Sequence, residues 1–294
     1  MQPDPSVIEI ALEPRSKEDQ AKLTAALAEL AAADLDLGAS TDWESGQTVL
    51  SGTSELHLDG KIELLKRRFD VEMNVGAPQV AYRETIAQRA DIDHTLKRQI
   101  GSAGQFARVR IVFEPGEPGS GLAFENAATE TALPTNLTEA ARLGVEGAAQ
   151  HGLLAGFPVV DFKATLVDGA YHDLDSSPAS FEAAGRAAFR MLRQEGAPRL
   201  LEPVMAVEII APAECRRMLV DDLTSRRGVL KPPTQASQAL GAWVPLSNMF
   251  GYPSVLSALT ESRGEFTMRF DHYAPVPLPT DDDPTFSPAV GMRA

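Results

Sequence analysis

The stretch Asp168-Gly169-Ala170-Tyr171-His172-Asp173-Leu174-Asp175-Ser176-Ser177 decides how the middle of this chain is read. An apolar, strand-like run at 157–167 precedes it and a helix-like run at 181–194 follows it. A strand therefore enters a tight glycine turn at Gly169. Ser and Asp side chains then open a helix, because they accept hydrogen bonds from the unpaired N–H groups of its first turn. The loop is short and pinned at both ends. Its exposed tip is expected to carry one aromatic ring, one imidazole and three carboxylates.

Working upstream, the middle domain is expected over 77–200, with strands at 80–86, 91–98, 105–114 and 122–129 and a helix at 136–151. Between the second and third strands, Arg98-Gln99-Ile100-Gly101-Ser102-Ala103-Gly104-Gln105 reads as a flexible Gly/Ser connection. Lys97, Arg98 and Gln99 lead into it. Cations meet phosphates, and an amide reaches base edges or ribose hydroxyls, so this is a candidate RNA-contact element.

The flanks repeat one pattern. Residues 7–12 alternate like a strand, and Ser16 with Asp19 opens a helix whose face is Leu23, Leu27 and Leu30. Strands at 35–43 and 47–53 flank the turn Glu44-Ser45-Gly46; a helix follows over 54–69 and a short strand over 70–75. The order β-α-β-β-α-β is the split βαβ, or ferredoxin-like, sandwich. It returns after residue 200, with strands at 203–210, 229–235, 242–248 and 265–273 and helices at 212–226 and 253–262. The fold class is α+β: two ferredoxin-like βαββαβ sandwiches (1–76 and 201–276) flanking a central α/β domain. A flexible tail is expected over 277–294, which contains Pro277, Pro279 and Asp281-Asp282-Asp283.

The 294 residues carry a net charge of −14, unevenly placed. Residues 1–76 hold 7 Lys/Arg against 15 Asp/Glu, whereas 77–200 hold 12 against 15 and 201–276 hold 7 against 8. Indiscriminate nucleic-acid binding is therefore not expected, but local RNA contacts on the middle and C-terminal parts remain open. One cysteine, Cys215, excludes an intrachain disulfide and suits a cytoplasmic setting. No apolar run reaches the about 18 residues of a membrane helix, so no membrane partner is expected.

Motifs for chemistry are sparse. Gly60-Lys61 is followed by Ile62 and fails as a nucleotide phosphate loop. The histidines, His57, His94, His151, His172 and His272, show no zinc-ligand spacing, and no metal is expected. His57 reads as a satisfied structural histidine, Cys215 as inert core, and Ser176 and Ser177 as helix-capping serines. Acid–base chemistry at His172 stays open beside a solvated turn and a macromolecular contact tip. Arg216-Arg217 and Arg226-Arg227 are candidate phosphate contacts, with plain solvation as the alternative.

Several runs resemble bacterial elongation factor G. Gly46-Gln47-Thr48-Val49-Leu50-Ser51-Gly52, Glu55-Leu56-His57-Leu58-Asp59 and Gly76-Ala77-Pro78-Gln79-Val80-Ala81-Tyr82-Arg83-Glu84-Thr85-Ile86 are similar to its domain III and the junction with domain IV. Residues 101–106 and 168–177 resemble the two tip loops of domain IV. Met249-Phe250-Gly251-Tyr252 and Phe266-Thr267-Met268-Arg269-Phe270-Asp271-His272-Tyr273 resemble domain V. Departures at Thr53-Ser54, Ala103, Phe106, 133–136 and Ser262 leave a housekeeping factor and a divergent paralogue both open.

The resemblance implies, for the central domain, an α/β fold of the ribosomal-protein-S5-like type, and for the chain a ribosome-engaging part of a translational GTPase that drives tRNA–mRNA translocation and, with the recycling factor, splits ribosomes. It implies ribosomal RNA, the tRNA–mRNA helix of the decoding region and the stalk base as partners. By resemblance the tip contacts are Gln99, Gly101, Gly104 and His172, and Ser102 and Tyr171 join them by their place in the two loops; Lys97, Arg98, Arg216 and Arg226 are candidate ribosomal RNA contacts. GTP and Mg would belong to an N-terminal domain of the parent, so neither a cofactor nor catalysis is expected of this chain, which is expected to be monomeric and a fragment of a longer factor. The alternative is a stand-alone ribosome-binding or ribosome-protection module acting without GTP hydrolysis.

Overall fold

The structure, a computed structural model, describes residues 6–41, 47–100, 103–130, 133–232 and 239–277. The chain divides into two units, Met1–Ala81 with Glu202–His272, and Tyr82–Leu201 with Tyr273–Ala294.

In the first sandwich, β1 (Ile8–Pro14) leads to α1 (Lys17–Ala33), whose N-cap Ser16 accepts from the Asp19 N–H at 3.0 Å. Then come β2 (Gly38–Thr41), β3 (Thr48–Gly52), α2 (Glu55–Arg67) and β4 (Met73–Val75). The sheet order is β2-β3-β1-β4, with antiparallel neighbours, as the split βαβ pattern requires. Leu23, Leu27 and Leu30 of α1 and Leu58, Ile62 and Leu65 of α2 are buried. Each contributes about 1.5–3 kcal/mol on burial. The expected turn Glu44-Ser45-Gly46 lies outside the described residues.

His57 sits in the first turn of α2 and is satisfied on both sides. Its Nδ1 is 3.4 Å from Thr53 Oγ1 and its Nε2 is 3.0 Å from an Asp34 carboxylate oxygen. Lys61, one turn on, pairs with the same carboxylate, and the Asp36 N–H donates to it at 3.1 Å. Lys61 and then His57 pull the Asp34 carboxyl down to about 2.

The expected single strand at 80–86 is two. β5 (Gln79–Val80) pairs with β1, whereas β6 (Arg83–Ile86) pairs with residues 198–201. The second half is held by Glu84, whose side chain is fully buried. Its carboxylate accepts from the backbone N–H groups of Leu153 (2.5 Å), Leu154 (2.8 Å), Ala155 (2.8 Å) and Phe157 (3.2 Å). A buried charge needs such donors, and here they tie β6 to the 153–157 loop.

The middle sheet runs β7 (Ala90–Ile100), β8 (Ala103–Pro115), β9 (Leu122–Asn126) and β10 (Phe162–Ala170) in the order β7-β8-β10-β9, with β9 and β10 parallel. Helices α3 (Thr135–Ala149) and α4 (Pro178–Glu195) accompany it. Phe113, Phe162 and Phe189 cluster with ring centroids 5.6–6.4 Å apart and join β8, β10 and α4. Between the helices, glycines permit near-contact of backbones. A Cβ on Gly144 would lie 2.1 Å from the Glu182 carbonyl oxygen, and one on Gly185 would lie 2.3 Å from that of Ala141.

Three expectations are corrected here. The apolar run at 157–167 is interrupted at Asp161 (φ 56°), whose side chain accepts from the Gly121 N–H at 2.9 Å, so β10 starts at Phe162. Gly169 is not a turn residue: it lies within β10 opposite Val109. A Cβ there would meet the Arg108 carbonyl oxygen at 2.9 Å, so glycine serves close strand approach. The Gly/Ser connection shrinks, because β7 and β8 pair through Ile100 and Ala103 and place Arg98 and Gln99 within a strand.

The last sandwich repeats the first. β11 (Pro198–Ile210), α5 (Arg216–Ser225), β12 (Val229–Leu230), β13 (Leu240–Pro245), α6 (Tyr252–Thr260) and β14 (Glu265–Pro275) form a sheet in the order β12-β13-β11-β14. Cys215, at the start of α5, is buried. Residues 233–235 of the expected strand and residues 278–294 of the expected tail lie outside the described residues.

Gly185→Ala tests the helix contact by sign. In an ordinary helix interior this change stabilises by up to about 1 kcal/mol. Here overpacking is expected to cost about 1–3 kcal/mol in urea denaturation, and an unchanged or raised stability would contradict the contact. Asp34 gives a pH test. Its folded pKa lies below its ordinary value of 3.8, so the unfolded chain binds more protons between them. Its stabilisation is complete above pH about 4 and lost as pH falls through about 2. Asp34→Asn is expected to flatten that part of the stability profile; an unchanged slope would count against the cluster.

Candidate functional site

One end of the middle sheet carries most of the candidate residues. β7 and β8 run on past the last β10 pair, Ala170 with Arg108. The edge of β8 beyond it is covered by the loop after β10. The Phe106 N–H donates to the Asp175 carbonyl at 2.9 Å. The Phe106 carbonyl accepts from Ser176 Oγ at 2.7 Å and from Ser180 Oγ at 3.2 Å. Ser176 Oγ also accepts from the His172 N–H at 2.9 Å, and the Ser176 N–H returns to the His172 carbonyl at 2.9 Å. Ser177 caps α4 in a reciprocal box with Ser180. The turn is thus at 172–176, later than glycine placement suggested.

Lys97, Arg98, Gln99, Gly104, Tyr171 and His172 line one groove of ≈ 880 Å³, together with Gln105, Phe106, Ala170 and Asp175. Lys97, Arg98, Gln99 and His172 are exposed. His172 Nδ1 accepts from the Leu174 N–H at 3.3 Å and lies 3.5 Å from an Asp175 carboxylate oxygen. In the neutral ring Nδ1 accepts and Nε2 carries the proton; in the imidazolium both nitrogens donate. Either way Nε2–H is available as a donor. Gly104 is small for a reason: a Cβ there would lie 2.6 Å from the Asp175 carboxylate. Gly101 and Ser102 lie outside the described residues.

The electrostatics sharpen the groove. Behind it, on the sheet, Arg108 binds Asp93 (2.5 and 2.9 Å) and Asp168 (3.2 Å), and Arg110 binds Asp91 (2.8 and 3.0 Å). These guanidinium groups hold Asp91 and Asp93 below the ordinary carboxylate range. Asp168 is therefore part of the sheet's ion pairs, and the tip has two carboxylates, Asp173 and Asp175, rather than three. Lys97 and Arg98 have no carboxylate partner among the described residues. The unpaired cations of this end are at the groove.

Arg216 and Arg226 are elsewhere, in the last sandwich. Arg216 is exposed at the start of α5 beside a small pocket lined by Ile209, Pro212 and Leu240. Arg226 is engaged within its own domain. It donates to Asp222 (2.9 Å) and the Asn248 carbonyl (2.6 Å) and stacks 5.0 Å from the Tyr252 ring centroid. The structure therefore does not present Arg226 as a free phosphate-facing cation. Sequence reading also missed Phe106, whose backbone anchors the loop, and Leu174, which is 87% exposed at its crest. Leu174 was legible as an apolar residue among acids; the role of the Phe106 backbone left no side-chain signal.

Two split βαβ sandwiches and a middle α/β domain whose sheet ends in a groove lined by Lys97 and Arg98 define the class of fold. Residues 3–77 match the family model of Elongation Factor G, domain III, residues 78–196 that of Elongation factor G, domain IV, and residues 199–284 that of the Elongation factor G C-terminus. The chain belongs to the elongation factor G family. It is similar to a crystal structure from Thermus thermophilus at 37% identity and a TM-score of 0.70, covering 94% of this chain and 42% of that one. The chain thus spans less than half of that relative. No helix among the described residues is long and apolar enough to cross a membrane.

Gly104→Ala is expected to displace the Asp175 carboxylate and shift the His172 imidazole resonances in NMR spectra. The clash is with a side-chain end, so the melting temperature should move by less than about 4 °C, the shift that about 1 kcal/mol produces in a small domain. An unperturbed His172 would contradict the packing of the loop on β8.

Proposed function

We propose that this chain is the ribosome-engaging part of an elongation factor G-type translational GTPase and promotes tRNA–mRNA translocation through the groove at the end of the middle sheet. GTP and Mg²⁺ belong to the N-terminal domain of the parent protein; this chain's contribution is steric and electrostatic. The observation that carries the reading is the convergence of Lys97, Arg98, Gln99, Tyr171 and His172 on one groove within the region matching domain IV. Lys97 and Arg98 suit phosphates, and Gln99 and His172 offer hydrogen bonds to bases or ribose hydroxyls. Tyr171 supplies a stacking face. The loop pinned on Phe106 presents these groups at little ordering cost. Ribosomal RNA, the tRNA–mRNA helix and the stalk base are the proposed partners, in the cytoplasm.

The test is single-turnover translocation by the full-length parent carrying Gln99→Ala or His172→Ala. Each is expected to slow the step about 10-fold or more, equivalent to at least about 1.4 kcal/mol of barrier. Wild-type rates for both variants would overturn the assignment of the groove.

A further inference from the structure

The second helix of the middle domain, α4, carries a charge pattern that the groove does not use. Between Glu182 and Glu195 it contains Arg186, Arg190 and Arg193 and no acid. Their spacing of four and three residues puts all three on one helix face, rising about 6 Å and then about 4.5 Å along the axis. All three are exposed. Arg186 is paired with Glu182 at 2.6 Å. Arg190 and Arg193 have no carboxylate partner among the described residues.

The contrast with neighbouring arginines gives this weight. Arg89, Arg108, Arg110 and Arg142 in the same unit each pair with a carboxylate. Arg98 at the groove and Arg216 and Arg217 in the last sandwich also lack a carboxylate partner among the described residues, and Arg190 and Arg193 differ from them in lying one turn apart on a single helix face. The helix dipole accounts for a cation in the last turn, Arg193, but not for Arg190. The N-terminal part of the helix exposes Pro178, Ala179 and Ala183 and carries no cation before Arg186. Guanidinium groups bind phosphate oxygens with a two-pronged fork, which a solvated surface does not require.

We propose that Arg190 and Arg193, assisted by Arg186, form a second contact site for an RNA phosphate backbone. It lies at the opposite end of α4 from the groove, about 20 Å along the helix from Ser177. The inference rests on the reading of the chain as a ribosome-binding module. Two separated cationic sites on one rigid domain bind a large RNA with the second contact made at high effective concentration. The α4 site positions and strengthens but reads no sequence, because it meets only backbone.

The probe is the purified bacterial 70S ribosome, with binding of the full chain measured by co-sedimentation over a range of KCl concentrations. Arg190→Ala/Arg193→Ala is expected to weaken binding about 10-fold and to reduce the salt slope by about 1.4–1.8, the value for two lost phosphate contacts. Arg190→Lys/Arg193→Lys is expected to recover most of the slope. A photo-crosslinking residue in place of Gln194 is expected to label ribosomal RNA. Wild-type affinity and slope in the alanine variant would overturn the proposal, as would labelling of a ribosomal protein instead of RNA. Lys97→Ala/Arg98→Ala separates the two readings. If that variant weakens binding while the α4 variant does not, the groove stands and the second site falls. If the wild-type chain does not bind ribosomes, both fall.

Discussion

The tip of this molecule depends on how the backbone of Phe106 is satisfied. β8 extends beyond its neighbour β10, and an exposed strand edge offers unpaired N–H and C=O groups. At Phe106 these groups are met by Asp175, Ser176 and Ser180, from the loop and the first turn of α4. One residue's backbone therefore fixes where the loop turns, where the helix begins and where His172 stands. Ser180, which shares the Phe106 carbonyl with Ser176, also completes the capping box with Ser177, so sheet, loop and helix meet at one anchor.

A second constraint sits at the other end of the domain. Glu84 is a buried carboxylate surrounded by four backbone donors. Its donors come from a loop without regular structure, which would otherwise carry unpaired N–H groups inside the protein. Glu84 thus orders 153–157 and, through it, the approach to β10. The two anchors work alike: a polar side chain or backbone group at a strand completes a loop that has no apolar core of its own.

Periodicity made the sandwiches legible. The alternation of Ile8, Ile10 and Leu12 and the helical spacing of Leu58, Ile62 and Leu65 correspond to buried faces, and both sheets have the order the pattern implies. What sequence did not show were features set by tertiary pairing. Gly169 looked like a turn but serves strand approach, and 80–86 looked like one strand but is claimed by two sheets. The candidate site was legible as types of residue in two loops. That Lys97, Arg98 and Gln99 sit on a paired strand, that Asp168 is held by Arg108, and that Arg226 is engaged by Asp222, Asn248 and Tyr252 depend on contacts far apart in sequence.

The central claim is that the tip is built before it meets a partner. Amide hydrogen exchange of Phe106 in the free chain tests it most directly. A closed strand edge predicts protection of at least about 100-fold over an unstructured peptide, in the range of neighbouring strand amides. Exchange of the Phe106 amide at the unprotected rate, while Val109 and Ile111 remain protected, would contradict it.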